Sequence, residues 1–505
     1  MVSLTFLDFS LAALGVFILH RFFSSKRRQS LPPGPKGLPL IGNVLDMPSS
    51  YEWLTFAKWG EQWGDIISVN LPGQHLIILN SAHDAVEMLE KKSNIYSDRP
   101  TLLMGGEIVG WNSTLALTRY GERFREYRRY LTRIMGTKSA LQSYHNLIEE
   151  ETSKFLRRLL QTPEHVHKHI RKTAGAIILM MAYGYAVEED EDPYVNQVDK
   201  AVTEFTIVTT PGAFLVDVLP VLRYLPSWFP GAGFQRIASE WREDLRQMAD
   251  IPYELVKQKM REGAALPSFT SRLLESEKLT REKEFNIKWS AASMYSGGAD
   301  TTVSAIYSFF LAMTLNPEAQ IKAQKEIDVV VGNDRLPTIA DRDSLPYVDA
   351  LLKEVLRYNP IGPLGLPHRV SDDDIYAGYL IPKGSLVFAN IWAIAHNPKV
   401  YSNPSAFNPD RYLGSNPEPD PREFVFGFGR RICPGLNLAD TSVFLSCAMV
   451  LSVFDISKVV EDGVVIEPVN ECTTGTISHP KEFRCSIKPR SSKAASLILP
   501  EAARK

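Results

Sequence analysis

Apolar and polar positions change period several times along this chain, and each change predicts an element. Residues 2–23 are almost continuously apolar, with 11–19 uninterrupted. Runs 65–71 and 75–80 are β-rich and are separated by Pro72-Gly73, which predicts a hairpin. Ser81 then caps a helix to about residue 92, with Ala82, Val86 and Leu89 on one face. Residues 120–130 predict a helix crowded with cations, and 287–315 read as one long helix of alanine, serine and aromatic residues. A shorter helix over 346–358 turns Val348, Leu351, Leu352 and Val355 inward and stops before Pro360. Strand-like runs remain around 367–369, 386–390 and 464–484, and an apolar run from Leu436 predicts another helix. The fold class is therefore mainly α with small β-sheets, an α+β arrangement.

The 505-residue length alone suggests about three domains. No glycine/serine or proline-rich linker divides the chain after residue 50, however, so one large helical unit is expected. The first segment has the roughly 20-residue length of one bilayer crossing. A cleaved signal competes with an anchor, but no basic residue precedes the apolar run and no small-x-small cleavage site follows it. Arg21, Lys26, Arg27 and Arg28 follow it, which by the positive-inside rule leaves the body in the cytoplasm. The expected organisation is an anchor at 1–23, a basic and proline-rich hinge at 24–43, a catalytic body at 44–490 and a tail at 491–505. A single-pass location in the endoplasmic reticulum membrane follows, and the sequon at Asn112 would then stay unused.

A hydrophobic content of 44% suits a large buried core, and a net charge of −2 leaves no footprint for nucleic acid. The four cysteines, 433, 447, 472 and 485, lack zinc spacing and are too sparse for a disulfide scaffold. Cys447, Cys472 and Cys485 read as thiols in a reducing compartment.

Cys433 stands apart. It lies in Phe426-Gly-Phe-Gly-Arg-Arg-Ile-Cys-Pro-Gly435, where the glycines let the backbone lie against a flat ligand and Arg431 offers a cation to a ligand carboxylate. Pro434 and Gly435 open a helix whose N-terminal end favours a thiolate. A buried thiol in a glycine-rich turn is the plain alternative. The ten residues resemble the Phe-Gly-x-Gly-x-Arg-x-Cys-x-Gly loop of the cytochrome P-450 family, the haem-thiolate monooxygenases. That resemblance implies haem b, iron protoporphyrin IX, with Cys433 as the axial metal ligand and Phe426 and Gly427 beside it.

The rest of the chain, from about 31 to 490, resembles the same family, most closely its fungal secondary-metabolism members. Gly297-Gly-Ala-Asp-Thr-Thr302 resembles the family's oxygen-activation signature, which implies proton delivery by Asp300 and Thr301. Close packing of another helix on the two glycines is the alternative. Phe124-Arg125-x-x-Arg128 resembles Trp-Arg-x-x-Arg, so Arg128 is implied to meet a haem propionate, while Phe124 lacks the indole N–H. Arg369 is implied as a further propionate cation, with His368 assisting. Glu354, Arg357 and Arg411 resemble the Glu-Arg-Arg triad that braces the cysteine loop. The region around 200–235 resembles the lid, and 473–476 a turn that points into the substrate cavity. By position, Ile108, Trp111, Phe214, Leu364 and Ile477 are expected to line that cavity.

The implied activity is oxidation of a lipophilic small molecule, a terpenoid or other secondary-metabolite intermediate, with O2 and electrons from NADPH. No Gly-x-Gly-x-x-Gly fingerprint follows a strand, so a separate NADPH-cytochrome reductase is the expected partner, docking near the arginines of 123–129. A reductase-independent haem-thiolate isomerase or dehydratase and a non-catalytic membrane haem-binding protein are the alternatives.

Overall fold

The computed structural model describes residues 30–499 apart from 190 and 277. The expected anchor at 1–23 lies outside the described residues.

One helix, Arg281–Leu315, organises the body. It is buried along most of its length, so it shows no apolar stripe, and other helices pack around it. Val166–Tyr183, Leu436–Val453, Glu122–Met135 and Gly233–Arg261 are its main neighbours. The helix begins earlier than its apolar pattern predicts, because the Thr280 hydroxyl caps the Lys283 N–H at 3.2 Å and the first turn is charged rather than periodic. Leu436–Val453 is, among the described residues, the one helix long and apolar enough to cross a membrane. It is buried in the core.

The expected hairpin pairs Ile66–Leu71 with Gln74–Leu79. Leu386–Ala389 adds to it in parallel and His368–Arg369 closes a four-stranded sheet. Ser81 caps the helix after the hairpin by accepting from Asp84 N–H, and a π-helical stretch, Val86–Lys91, continues it. Residues 30–43 run across the body; Ser68 donates to the Pro32 carbonyl at 2.6 Å. Beyond 490, where a tail is expected, Ser491 caps a helix, Ser492–Ile498, that buries Ala494 and Ile498. In the region expected to be the lid, the long helices Pro193–Val208 and Gly233–Arg261 are joined by a segment with a short helix, Leu215–Val218, and a 3-10 turn, Pro220–Tyr224, that leaves Leu215, Val221, Tyr224 and Trp228 exposed.

Candidate active site

The loop before Leu436–Val453 turns on two glycines. Gly427 (φ 81°) and Gly429 (φ 53°) adopt the left-handed region that side chains avoid. A methyl group on Gly429 would meet the Leu89 carbonyl oxygen at 2.6 Å, so the loop is pressed onto the stretch that follows Ser81. The Cys433 N–H donates to the Phe426 carbonyl at 2.8 Å and closes the loop. The sulfur is enclosed by protein yet open to an internal cavity. Burial pushes its thiol up, against the N–H groups of Gly435 and Leu436 and the charge of Arg128.

That cavity, about 380 Å³, lies between the Cys433 loop and the Arg281–Leu315 helix. Its walls are largely apolar and include Trp111, Ile178, Phe205, Met294 and Ile477. Phe426 and Gly427 line it beside Cys433. Trp111, Leu364 and Ile477 are where position suggests, but Ile108 and Phe214 are not part of the lining. The Ile108 carbonyl accepts from Arg242, and Phe214 packs edge-on against Trp241.

Three arginines line the cavity, Arg99 and Arg431 buried and Arg128 half-buried. Arg99 donates to the Leu366 and Pro367 carbonyls, both at 2.7 Å, and to Ala116 at 3.1 Å. Arg431 donates to the Ser97 carbonyl at 2.7 Å and to Thr118 at 2.8 Å, with its guanidinium 3.8 Å from the Phe124 ring centroid. Phe124 thus gives a π face where an indole N–H is absent. Arg128 donates to the Ile432 carbonyl at 2.6 Å. Burial lowers all three, Arg431 to about 10, and Arg431 lowers Arg99 further. A guanidinium keeps its charge in proteins, and among the described residues the hydrogen bonds of these three go to carbonyls rather than carboxylates. Such a cluster beside an apolar cavity calls for an anion.

Arg369, expected in this set, does not line the cavity. Its half-exposed guanidinium lies 3.6 Å from Asp98, because the strand that turns His368 inward turns the next residue outward. Arg99, which the sequence reading misses, takes the inward place. His368 lines the cavity; its Nδ1 lies 2.7 Å from the Tyr96 carbonyl, and burial beside Arg99 keeps it neutral.

On the facing helix the two glycines have different tasks. A methyl on Gly298 would meet Ile178 Cδ1 at 2.8 Å, a close helix contact, whereas one on Gly297 would meet nothing within 4 Å and faces the cavity. Close helix packing therefore accounts for Gly298, while Gly297 leaves open space on the cavity side. Thr301 also lines the cavity and donates to the Gly297 carbonyl at 2.7 Å. Asp300 is buried away from it, 3.0 Å from His479 Nε2. At the other end, the Thr209 hydroxyl donates to the Phe205 carbonyl at 2.7 Å and lies 2.8 Å from the hydroxyl of the lining residue Thr476.

Glu354, Arg357 and Arg411 come together in the core. Arg357 forks onto both oxygens of Glu354 at 2.8 Å, and Arg411 Nε lies 3.2 Å from Glu354 Oε1. Arg357 also donates to the Ala395, Pro404 and Ala406 carbonyls, and Asn408 N–H donates to Glu354, so the group ties down the segment before the cysteine loop.

A large helical body, a cysteine on a glycine loop and a cavity over its sulfur define a haem-thiolate protein, and comparison with known sequences agrees. The cytochrome P450 family model matches residues 32–486. Cytochrome P450 monooxygenase 208 of Postia placenta is 58% identical over 497 residues, covering 97% of each chain. Cytochrome P450 monooxygenase claR of Ampulloclitocybe clavipes is 52% identical, over 96% of this chain and 91% of its own. Monooxygenase ppsD of Aspergillus oryzae is 45% identical, over 93% and 91%. The chain belongs to the cytochrome P450 family and is a monooxygenase of the fungal type. The family's cofactor is haem with thiolate ligation, and a largely apolar cavity edged by three arginines that hydrogen-bond carbonyls and no carboxylate, with a cysteine beneath, fits a flat macrocycle bearing two acids.

Proposed function

We propose that this monooxygenase oxidises a lipophilic small molecule, a terpenoid or other secondary-metabolite intermediate, with O2 and electrons that originate in NADPH. The observation that carries this reading is the apolar cavity ending at Cys433. When bound, the haem supplies the oxygen chemistry. The chain supplies the rest: Cys433 holds the iron, and Arg99, Arg128 and Arg431 hold the carboxylates. Apolar walls exclude water and orient the substrate, and Asp300 and Thr301 serve the movement of protons. Glu354, Arg357 and Arg411 keep the ligand loop in place.

Electrons come through an NADPH-cytochrome reductase. Arg123, Arg125 and Arg129 are exposed on the Glu122–Met135 helix, and Arg128 of that helix is bonded to the carbonyl next to Cys433. A cationic face so close to the ligand suits an acidic electron donor. Residues 1–23 anchor the protein in the endoplasmic reticulum membrane with the body on the cytoplasmic side. The exposed Leu40, Leu45, Val221, Tyr224 and Trp228 support an apolar approach to a bilayer.

The test is spectral and metabolic. The reduced protein with carbon monoxide is expected to give the thiolate-type band, and Cys433→Ala to abolish it. NADPH-dependent conversion in the presence of reductase is expected, with the substrate sought in the metabolite profile of a deletion strain. Conversion without any electron donor would establish the isomerase reading instead.

A further inference from the structure

Asp300 and Thr301 are adjacent in sequence but face different surroundings. Thr301 lines the cavity, while Asp300 is buried against a polar cluster drawn from three other elements. Its Oδ2 lies 3.0 Å from His479 Nε2 and its Oδ1 3.7 Å from Arg171 Nη2. Arg171 also pairs with Asp199 of the Pro193–Val208 helix. His167, one turn before Arg171, packs edge-on to Tyr307 and is brought down to about 4 by burial, so it stays neutral. Burial raises Asp199 to about 6. Burial alone would raise Asp300, but the bond to His479 and the charge of Arg171 outweigh it and hold the carboxyl below its ordinary range. Its two oxygens are therefore divided between the Arg171 guanidinium and the His479 imidazole.

His479 also belongs to the cavity wall's own hairpin. Its N–H donates to the Thr473 hydroxyl at 3.0 Å and its carbonyl accepts from the Thr473 N–H at 2.7 Å. Thr476 and Ile477, between these ends, line the cavity. The next residue, Ser478, is fastened to the Arg281–Leu315 helix, its carbonyl accepting from the Ser304 hydroxyl at 2.6 Å. His479 Nδ1 is buried and has no hydrogen-bond partner among the described residues.

We propose that His479 is the positioning residue of the relay: it holds Asp300 turned out of the cavity and couples that acid to the hairpin that a substrate touches. The proposal rests on Asp300 and Thr301 acting as a proton-delivery pair. With Asp300 bound to His479 and the Thr301 hydroxyl spent on Gly297, the two are not joined. A ligand that shifts Thr476 and Ile477 disturbs the His479 bond and frees Asp300 Oδ2 towards Thr301. Proton delivery is thereby tied to an occupied cavity.

The haem-loaded full chain tests this, with a diflavin reductase, NADPH and lauric acid as the lipophilic probe. His479→Leu is expected to raise peroxide released per NADPH about tenfold, and to flatten the rate profile between about pH 5 and 8. Asp300→Asn should do the same, and the double variant no more than either. His479→Gln, which keeps an N–H donor, should restore the hydrogen-exchange protection of residues 471–481 but not the pH profile. Lauric acid should loosen that protection in the natural sequence. Asp199→Asn should leave the profile in place; its loss there would assign the titration to Asp199 and overturn the proposal. So would His479→Leu matching the natural sequence while Asp300→Asn departs from it, or exchange indifferent to lauric acid. An unaltered Asp300→Asn would instead overturn the relay reading, and absence of NADPH consumption the electron-source reading, with the exchange arm still decisive. Should His479→Leu not fold, the pH profile of His479→Gln decides.

Discussion

Two groups of arginines can be set side by side. Arg357 and Arg411 share Glu354, and every charge in that group has an opposite charge within hydrogen-bond distance. Arg99 and Arg431 are also buried and Arg128 half-buried, and all three are bonded to carbonyls, but none hydrogen-bonds a carboxylate among the described residues; Asp98 acts on Arg99 and Arg431 only from a distance. The first group is finished by the chain itself, and its role is to hold a segment still. The second is finished only by something that arrives with negative charge. Burial alone therefore does not mark a ligand site; burial without a countercharge does.

The comparison is sharpest where the two groups respond with opposite sign. Arg357→Ala leaves Glu354 buried with one partner fewer, so a loss of about 3–5 kcal/mol is expected, read by urea unfolding with and without haem. Arg128→Gln keeps a donor for the Ile432 carbonyl while removing a charge. The haem-free protein is expected to gain about 1 kcal/mol, while the loaded protein loses haem faster to a scavenger protein. If both variants destabilise the haem-free protein alike, the distinction fails. Arg431→Lys keeps the charge but gives up the fork and the stacking on Phe124, for about 1 kcal/mol of weaker haem retention. Arg369→Ala breaks only the half-exposed contact with Asp98. Its effect is expected to stay below about 1 kcal/mol, with haem retention unchanged.

The same contrast explains what the sequence could reveal. Glu354 and Arg357 share a helix face and the Cys433 loop is a short glycine turn, local patterns that the resemblance to the family, rather than spacing alone, makes legible before any coordinates. Arg99 lies in an aperiodic bend, and its place depends on carbonyls of residues 116, 366 and 367. Arg369 misleads because His368 and Arg369 are neighbours on one strand, where a single step reverses the direction of the side chain. The main helices and the hairpin follow from period and turn residues, but the start of the central helix rests on the Thr280 cap. The cavity wall is the least legible part: Ile178, Val202 and Phe205 look like any core residues until the helices Val166–Tyr183 and Pro193–Val208 bring them to the same cavity.

The paired hydroxyls of Thr209 and Thr476 carry a last consequence. Thr209 has one proton, and the Phe205 carbonyl takes it, so Thr476 must spend its own on Thr209. Thr476 lines the hollow, so all that its hydroxyl has left to offer a guest there is lone electrons and no hydrogen. A guest that brings an alcohol or an amine to that spot is welcomed, and one that brings a ketone meets repulsion, so two molecules of the same size and greasiness would be sorted by which way round their one polar group is made.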